Sequence, residues 1–502
     1  MTSQLERPPL LVGDVPYEAV IGIECHVELR THTKMFCGCL NVFGAPPNTN
    51  VCPVCLGMPG ALPVPNRAAL EALVLAGLAF GATIPAFSKF DRKNYFYPDM
   101  PKDYQISQYD TPLTQGGVVP FFLSDGTPGS CRLTRIHLEE DTGKSSHGGS
   151  RDGRIAGSTH SLVDFNRAGV PLMECVGEPD LRSAAEAVAY LETLKRTFVA
   201  LGVSDVKMEE GSLRCDVNLS LRPAGDDAYG TKVEIKNMNS FRSVARAIDG
   251  EVARQAAILE RGERVVQETR GWDEAAGETH AMRGKERAHD YRYFPDPDLT
   301  PITFAARDAE RLRTRLGELP HARLERYVST DRLSLVQALQ VVDAPGLAEY
   351  YERTLALTRK PQATINFVLG DLSRLANETG TAVSASTLTP ERLAEIVEAA
   401  ETKTINSKVA KEYVERYWRE GDPDAGRPFV DVVAAEGRAQ VSDAGAIDRV
   451  VAEVLAANEK TLGEYRAGKT KVLGFLVGQV MKRSRGTANP ELAEKRLRAA
   501  IG

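Results

Sequence analysis

The chain has 502 residues, 42% of them hydrophobic and 26% charged, and a net charge of −6. Those values describe an ordinary soluble globular protein of about three domains and exclude a uniformly basic nucleic-acid coat, though not a local basic patch. Residues 1–14 carry Glu6 and two prolines but no apolar core of a secretory signal, and the greasiest run, Ala72 to Ile84, is shorter than the about 18–20 residues of a membrane span. The chain therefore reads as cytoplasmic, with no membrane association.

The first informative stretch is Gly22 to Leu29. Read with a period of two, Ile23, Cys25, Val27 and Leu29 point one way and Glu24, His26 and Glu28 the other. A half-buried strand with a solvated face would look the same, but the pattern recurs. Ile136, Leu138 and Glu140 alternate with His137, Glu139 and Asp141. Leu213, Cys215, Val217 and Leu219 alternate with Arg214, Asp216 and Asn218, and Val233 and Ile235 face away from Lys232, Glu234 and Lys236. Four such segments predict one antiparallel sheet with a carboxylate-lined floor, suited to Mg²⁺ and the phosphates of a nucleotide.

Between the first two strands, Cys37 and Cys39 form one short hook and Cys52 and Cys55 another. With eight cysteines and no secretory signal, the spacing reads as a tetrahedral structural Zn²⁺ site. The remaining four, Cys25, Cys131, Cys175 and Cys215, read as buried small residues. Pro65 to Ala86 is predicted as a buried helix. Residues 91–105, dense in aromatics, charges and prolines, have no clean period and read as a long functional loop.

Residues 143–158 are rich in Gly and Ser and read as a hairpin loop, not a nucleophile site, since no general base is evident. Strand-like sequence returns over His160 to Val176, with Glu174 interleaved. Asp180 is predicted to cap a helix over Leu181 to Leu201, and a second amphipathic helix covers Ser240 to Arg261. A second dense loop runs from Thr269 to Leu299 and ends in prolines. Helical spacing then dominates: Pro361 to Leu375, Pro390 to Ala400 and Ser407 to Arg419. A linker follows at Gly421 to Pro428, then helices over Ala444 to Ala457, Lys471 to Arg483 and Pro490 to Ile501. The fold class is α+β, with domains at 1–300, 301–420 and 421–502.

Gly463 to Thr470 matches a phosphate-binding loop by its letters. A helix precedes it and Glu464, Tyr465 and Arg466 fill it, so its context fails. The basic residues nearby, Arg466, Lys469, Lys471, Lys482, Arg483 and Arg485, make a local positive end fit for a phosphate backbone.

Several long motifs resemble the GatB/GatE family, the B-subunits of the bacterial tRNA-dependent amidotransferases. They are Gly22 to Leu29, Asp91 to Asp99, His137 to Lys144, Asp164 to Leu172, Lys207 to Asp216, Asp290 to Asp296 and Gly474 to Lys482. The resemblance implies a first domain similar to glutamine synthetase, a helical middle domain and a YqeY-like helical tail. It also implies ATP-dependent phosphorylation of the side-chain carboxylate of Glu-tRNA(Gln) or Asp-tRNA(Asn), followed by amidation with ammonia channelled from a partner amidase, the A-subunit. A small C-subunit would complete a heterotrimer. On that resemblance Glu24, His26 and Glu139 are first for catalysis and Mg²⁺, with Glu210 as a further catalytic carboxylate. Glu140, Glu209, Asp216 and Glu234 are additional candidates for ATP and Mg²⁺. Lys93, Lys102 and Glu139 match positions that line or gate the ammonia passage. The tail is expected to contact the tRNA body and the first domain the acceptor end. The same residues leave open a free-amino-acid ligase or a non-catalytic tRNA scaffold.

Overall fold

The computed structural model describes residues 10–149, 157–282, 291–440, 444–466, 469–484 and 488–501. The chain divides into two compact units, Met1–Arg323 and Leu324–Gly502.

In chain order the first unit begins with β1 (Leu10–Val12), β2 (Val15–Glu28), helix α1 (Arg67–Ala79), β3 (Phe87–Ser88), β4 (Asp91–Asn94), β5 (Tyr104–Ser107), β6 (Thr114–Gln115), β7 (Val118–Phe122) and β8 (Pro128–Glu140). It continues with β9 (Lys144–Gly148), β10 (His160–Asp164), β11 (Pro171–Gly177), α2 (Ala184–Ala200), β12 (Leu213–Pro223), β13 (Val233–Lys236), α3 (Phe241–Glu260), β14 (Thr269–Asp273), β15 (Glu278–Ala281), β16 (Phe294–Pro295), β17 (Ile302–Thr303) and α4 (Ala306–Arg313). The main sheet has the order β15-β14-β13-β12-β2-β11-β8-β6, with β1 added to β2 and β7 to β8. Its pairings are antiparallel except β13 with β14. The fold class is thus α+β, as the alternating segments require.

Alternation decides which face is which. Ile23, Cys25, Val27 and Leu29 are buried, and they join one core with Leu73 and Val74 of α1, Tyr190, Leu194 and Phe198 of α2, and Val244 and Ile248 of α3. Glu24, His26 and Glu28 stay half-buried on the opposite face. Burying one face of the sheet under helices is the dominant stabilising term here, because each fully buried Leu, Ile or Phe contributes about 1.5–3 kcal/mol. The isolated cysteines Cys25, Cys175 and Cys215 are core residues, aligned across β11, β2 and β12.

Several local expectations change. The first helix stops at Ala79, short of Ala86, because the chain turns at Gly81 in the left-handed conformation (φ 70°). The α2 cap is Ser183, whose side chain accepts from the Glu186 amide. Asp180 instead takes three bonds from Arg132, from its backbone N, Nε and Nη2, at 3.0, 2.8 and 2.7 Å. Residues 91–105 are not one loop. They contain β4 and β5, joined with β16 into a small sheet of order β16-β4-β5. The Gly- and Ser-rich stretch carries the β9–β10 hairpin, with Ser150 to Ala156 outside the described residues.

Helices continue as α5 (Pro320–Ser329), α6 (Leu335–Asp343), α7 (Leu347–Thr358), α8 (Pro361–Asn366), α9 (Ser373–Thr379), α10 (Pro390–Glu401), α11 (Ser407–Glu420) and α12 (Phe429–Ala435). The expected helix Pro361 to Leu375 is interrupted by a π-helical stretch, Phe367–Leu372, where the Ser373 hydroxyl donates to the Val368 carbonyl at 3.0 Å. The Gly421 to Pro428 stretch is a linker by composition only. It wraps the buried Arg392, which donates to Asp422 at 2.7 Å and to the carbonyls of Asp424 and Arg427 at 2.8 and 3.1 Å. The tail comprises α13 (Ala444–Ala457), α14 (Glu459–Arg466), α15 (Leu473–Arg483) and α16 (Pro490–Ile501). Ile447, Val451, Leu476, Val480, Leu497 and neighbours give these four helices their own core. Among the described residues, no helix is long and apolar enough to cross a membrane. Helix α14 occupies the first half of the phosphate-loop lookalike, where phosphate binding needs an open loop.

Candidate functional site

The polar face of the main sheet is organised in rows set by strand register. Arg214, His26, Glu174 and His137 lie side by side on β12, β2, β11 and β8. The next row places Asp216 beside Glu24, with Asn218 nearby donating to Glu24 Oε1 at 2.9 Å. On the other side, Leu172 lies between Glu28 and Glu139.

The centre is His26. Its Nε2 lies 3.6 Å from Glu139 Oε1 and 3.5 Å from Glu174 Oε2, and Glu174 also meets His137 Nε2 at 3.2 Å. Donor atoms of His26, Glu139 and Glu174 all fall within 4.8 Å of one another. Burial by itself would lower the His26 pKa. Glu174, by charge and hydrogen bond, and then Glu139 outweigh it and hold the imidazole at about 9. Burial likewise opposes ionisation of Glu174, but His137 and His26 prevail and its pKa falls well below the carboxylate range. Lys93 on β4 turns its amine toward this cluster, 5.1 Å from the Tyr291 ring. Its pKa is raised, because Glu139 and other neighbours exceed the opposing effect of burial.

Beside the cluster lies a second carboxylate pair. Glu28 shares a hydrogen bond with the buried Asp141, and burial together with Asp141 pushes Glu28 up to about 8. Arg214 donates to Asp141 Oδ2 at 2.5 Å and Arg167 lies 3.5 Å from the same oxygen. Against the penalty of burial, these two guanidiniums keep Asp141 below its usual value. Glu28 therefore carries the proton and Asp141 the charge.

The structure sorts the expected residues. It brings His26, Glu139 and Lys93 together and leaves Glu24 in the next row, in register with Asp216, which is ion-paired with Lys236. Glu234 is buried one strand further out, accepting from Thr269 Oγ1 at 2.8 Å and 3.5 Å from Lys236. Glu140 is on the core side of β8, in register with Pro171, where it is ion-paired with Lys102 and accepts from the Ile106 amide at 3.0 Å. Glu209 and Glu210 are exposed on the turn before β12, and Glu210 pairs with Lys207 at 2.7 Å. Sequence reasoning passed over Glu174, Asp141 and Arg214 as site residues. For Glu174 the available signal is a lone carboxylate in the apolar run Pro171 to Val176.

The thiols of Cys37, Cys39, Cys52 and Cys55 also lie within 4.8 Å of one another. Cys55 is the thiolate of the set: a hydrogen bond from Cys37 outweighs burial and holds it at about 5, with Lys34 assisting. The fully buried Lys34 amine lies 3.8 Å from Cys55 Sγ and donates to the Asn50 carbonyl at 2.9 Å. The loop closes tightly at Gly57 (φ 65°), where an added Cβ would run into the Lys102 side chain. A four-cysteine cage of this kind is compatible with a structural metal.

On the tail, Lys469, Lys471, Lys482 and Arg483 are exposed, with Lys469 3.5 Å from Glu464 and Arg483 2.7 Å from Glu453. Arg466 ends α14, and Arg485 lies outside the described residues.

With this geometry in place, comparison with known proteins is specific. The family description "GatB/GatE catalytic domain" matches residues 19–310, and "GatB domain" matches residues 349–501. The chain is 49% identical to the aspartyl/glutamyl-tRNA(Asn/Gln) amidotransferase B-subunit of Thermosynechococcus vestitus, over 98% of each chain. It is 49% identical to the protein of the same name from Moorella thermoacetica, over 97% of this chain and all of the other. For the counterpart from Anaeromyxobacter dehalogenans the identity is 51%, over 97% and 99%.

Proposed function

Because the chain belongs to the GatB/GatE family, we propose that it is the transamidating member of a tRNA-dependent amidotransferase complex, acting on Glu-tRNA(Gln) or Asp-tRNA(Asn). The side-chain carboxylate of the attached amino acid takes the γ-phosphoryl group of ATP. Ammonia then forms the C–N bond as the C–O bond to phosphate breaks, giving the amide, ADP and phosphate. The observation that carries this reading is the largely buried His26, Glu139 and Glu174 cluster on the polar face of the main sheet.

The donor set fits a hard divalent cation through its oxygens: Glu139 and Glu174 in the cluster and Glu24 in the adjacent row. Mg²⁺ held there would offset the charge of the triphosphate and of the developing anion. The chain's own groups do the rest. Asn218 fixes the Glu24 carboxylate. Charged His26 keeps Glu139 and Glu174 facing each other in the absence of a cation. Lys93 places a permanent positive charge at the inner edge, where the amino-acid carboxylate and phosphate must approach. Asp216 and Glu234, both near Lys236, form the flank of the site and are assigned to the nucleotide side.

Lys93 and Glu139 are assigned to the end of the ammonia passage. Lys102 and Glu140 hold the underside of β8, below Glu139. The four-cysteine loop is assigned to structural Zn²⁺. Residues 1–300 are assigned to the reaction, 301–420 to a helical domain, and 421–502 to a tail whose exposed lysines and Arg483 meet the tRNA backbone. Ammonia comes from glutamine hydrolysed by a partner amidase, and a small third protein completes the complex.

In the reconstituted complex, Glu139→Gln and Glu24→Gln are expected to abolish ADP formation that depends on misacylated tRNA. Glutamine hydrolysis by the partner amidase should persist. Normal turnover by both variants, or amide formation from free glutamate without tRNA, overturns the reading.

A further inference from the structure

Among the described residues, Lys34 is the only lysine in the buried interior, and its exposure is 0%. It stands three residues before Cys37 in the chain. Its backbone N donates to the Cys39 carbonyl at 2.9 Å, and its own carbonyl accepts from Asn66 Nδ2 at 3.2 Å. The main chain is thus tied to the first cysteine hook, while the side chain crosses to the second. On the way it packs against the turn before β11: a Cβ added at Gly169 would lie 3.7 Å from Lys34 Cδ and 3.5 Å from Cys55 Cβ.

The amine ends among three acceptors. They are the Asn50 carbonyl at 2.9 Å, the Phe165 carbonyl at 3.4 Å and Cys55 Sγ at 3.8 Å. An ammonium group has three N–H donors and no acceptor, so this setting matches the charged form. A buried charge needs a counter-charge, because burial without one is costly. Among the described residues no carboxylate oxygen lies within 4.0 Å of this amine. Glu140 reaches the same turn, 3.8 Å from the Cβ position of Gly169, but it is ion-paired with Lys102. Carbonyl groups carry no net charge. The sulfur is the remaining partner.

We propose that Lys34 is the buried counter-charge of a tetrathiolate Zn²⁺ centre, acting as a positioning residue through Cys55. The proposal rests on the assignment of Zn²⁺ to the four thiols and not on the amidation chemistry. Four thiolates outweigh a divalent cation, so the loaded centre is an anion inside the protein. The Lys34 ammonium offsets that charge from a fixed position, and the Cys52 amide gives Cys55 Sγ a second N–H contact at 3.1 Å. Donors outside the ligand shell orient the ligands and raise metal affinity. The same ammonium donates to Phe165, two residues before Arg167, which donates to the carbonyls of Thr142 and Gly143 at 3.0 and 2.9 Å. One buried charge therefore anchors the metal loop to the turn that carries Arg167.

The test uses the full chain and reads metal, not turnover. In competition with a chromophoric chelator, Lys34→Met should lower Zn²⁺ affinity about 10- to 100-fold. Lys34→Gln, polar but neutral, should do the same. With Co²⁺ in place of Zn²⁺, the thiolate-to-metal charge-transfer band should move to lower energy in both variants, because the sulfur loses a stabilising cation. Unfolding temperatures supply the sign. Lys34→Met should lower the unfolding temperature of the loaded wild type, and should raise it by about 2–4 °C in a Cys55→Ser background, where the ammonium has lost its anion. Unchanged Zn²⁺ affinity and an unmoved Co²⁺ band in both Lys34 variants overturn the proposal and leave the zinc assignment intact. Equal destabilisation in the two backgrounds also overturns it, by making Lys34 a packing residue only. A wild-type chain that holds no metal overturns this proposal and the zinc assignment together, and leaves the amidotransferase reading standing.

Discussion

Glu174 stands opposite His26 on one neighbouring strand and His137 on the other, with its Oε2 3.5 Å and 3.2 Å from their Nε2 atoms. One carboxylate thus organises two imidazoles, and the charge on His26 depends on it. Replacing Glu174 by Gln keeps the shape and removes the charge. The His26 pKa is expected to fall from about 9, followed by NMR titration of the ring, and amidation to drop on the order of a hundred-fold. The folded-state pKa of His26 is raised, so its contribution to stability is fully present below about pH 6.5 and is lost as pH rises through about 9. The thermal gap between wild type and Glu174→Gln should therefore be widest near pH 6 and close above 9. A gap that widens with pH rules the pairing out.

Glu28 and Asp141 titrate as a unit with one proton between them. Glu28 is raised to about 8, so the pair favours the folded state below the usual glutamate range, and that benefit is lost as pH rises through about 8. Glu28→Gln supplies a permanent N–H toward Asp141 in place of the shared proton. It should match wild type near pH 5 and exceed it by about 1–2 kcal/mol at pH 9, measured by denaturant unfolding. Equal unfolding curves at pH 9 exclude the shared proton.

Lys102 and Glu140 form a buried ion pair on the core side of β8, and removal of one partner strands the other charge. Lys102→Met should destabilise the first unit by about 3–5 kcal/mol, and the double change Lys102→Met with Glu140→Gln should recover most of it. Lys93→Met should behave differently: its loss should fall on amidation, with a smaller change in unfolding temperature. If the single Lys102 variant unfolds like wild type, the pair is not structural.

The four thiols should hold one metal ion per chain, detectable by elemental analysis of the purified protein. Cys39→Ser or Cys52→Ser should lose that ion and lower the unfolding temperature by several degrees. If the metal is structural, ADP formation per folded molecule at low temperature stays within a few-fold of wild type. A metal-free wild type with unchanged stability counts against the site.

On the tail, Lys471→Glu and Lys482→Glu should weaken tRNA binding, with each lost phosphate contact reducing the slope of log affinity against log salt by about 0.9. A slope identical to wild type removes the tail from the tRNA interface.

Much of the site was legible along the chain because a strand has a period of two. Glu24 and His26 must share a face opposite Cys25, whatever the rest of the fold does, and the same holds for His137 and Glu139. The paired cysteine hooks were equally local. Glu140 shows the limit of that logic: the alternation put it on the core side, yet only the approach of β5 and Lys102 explains how a carboxylate is tolerated there.

Local pattern by itself determined the α+β class, the carboxylate-bearing face, the four-thiol loop and the motifs that carry the family. Tertiary structure decided which of the many acidic residues meet. Register across β12, β2, β11 and β8 selected Glu174 and Arg214 as neighbours of His26, brought Asp141 to Glu28, and left Glu209 and Glu210 on an exposed turn. It also turned a linker-like stretch into a wrap around Arg392 and joined β4 to β16 in one small sheet. Strand order and register depend on pairings between residues far apart in the chain. No window of sequence contains both partners, and the charge each group carries follows from those partners.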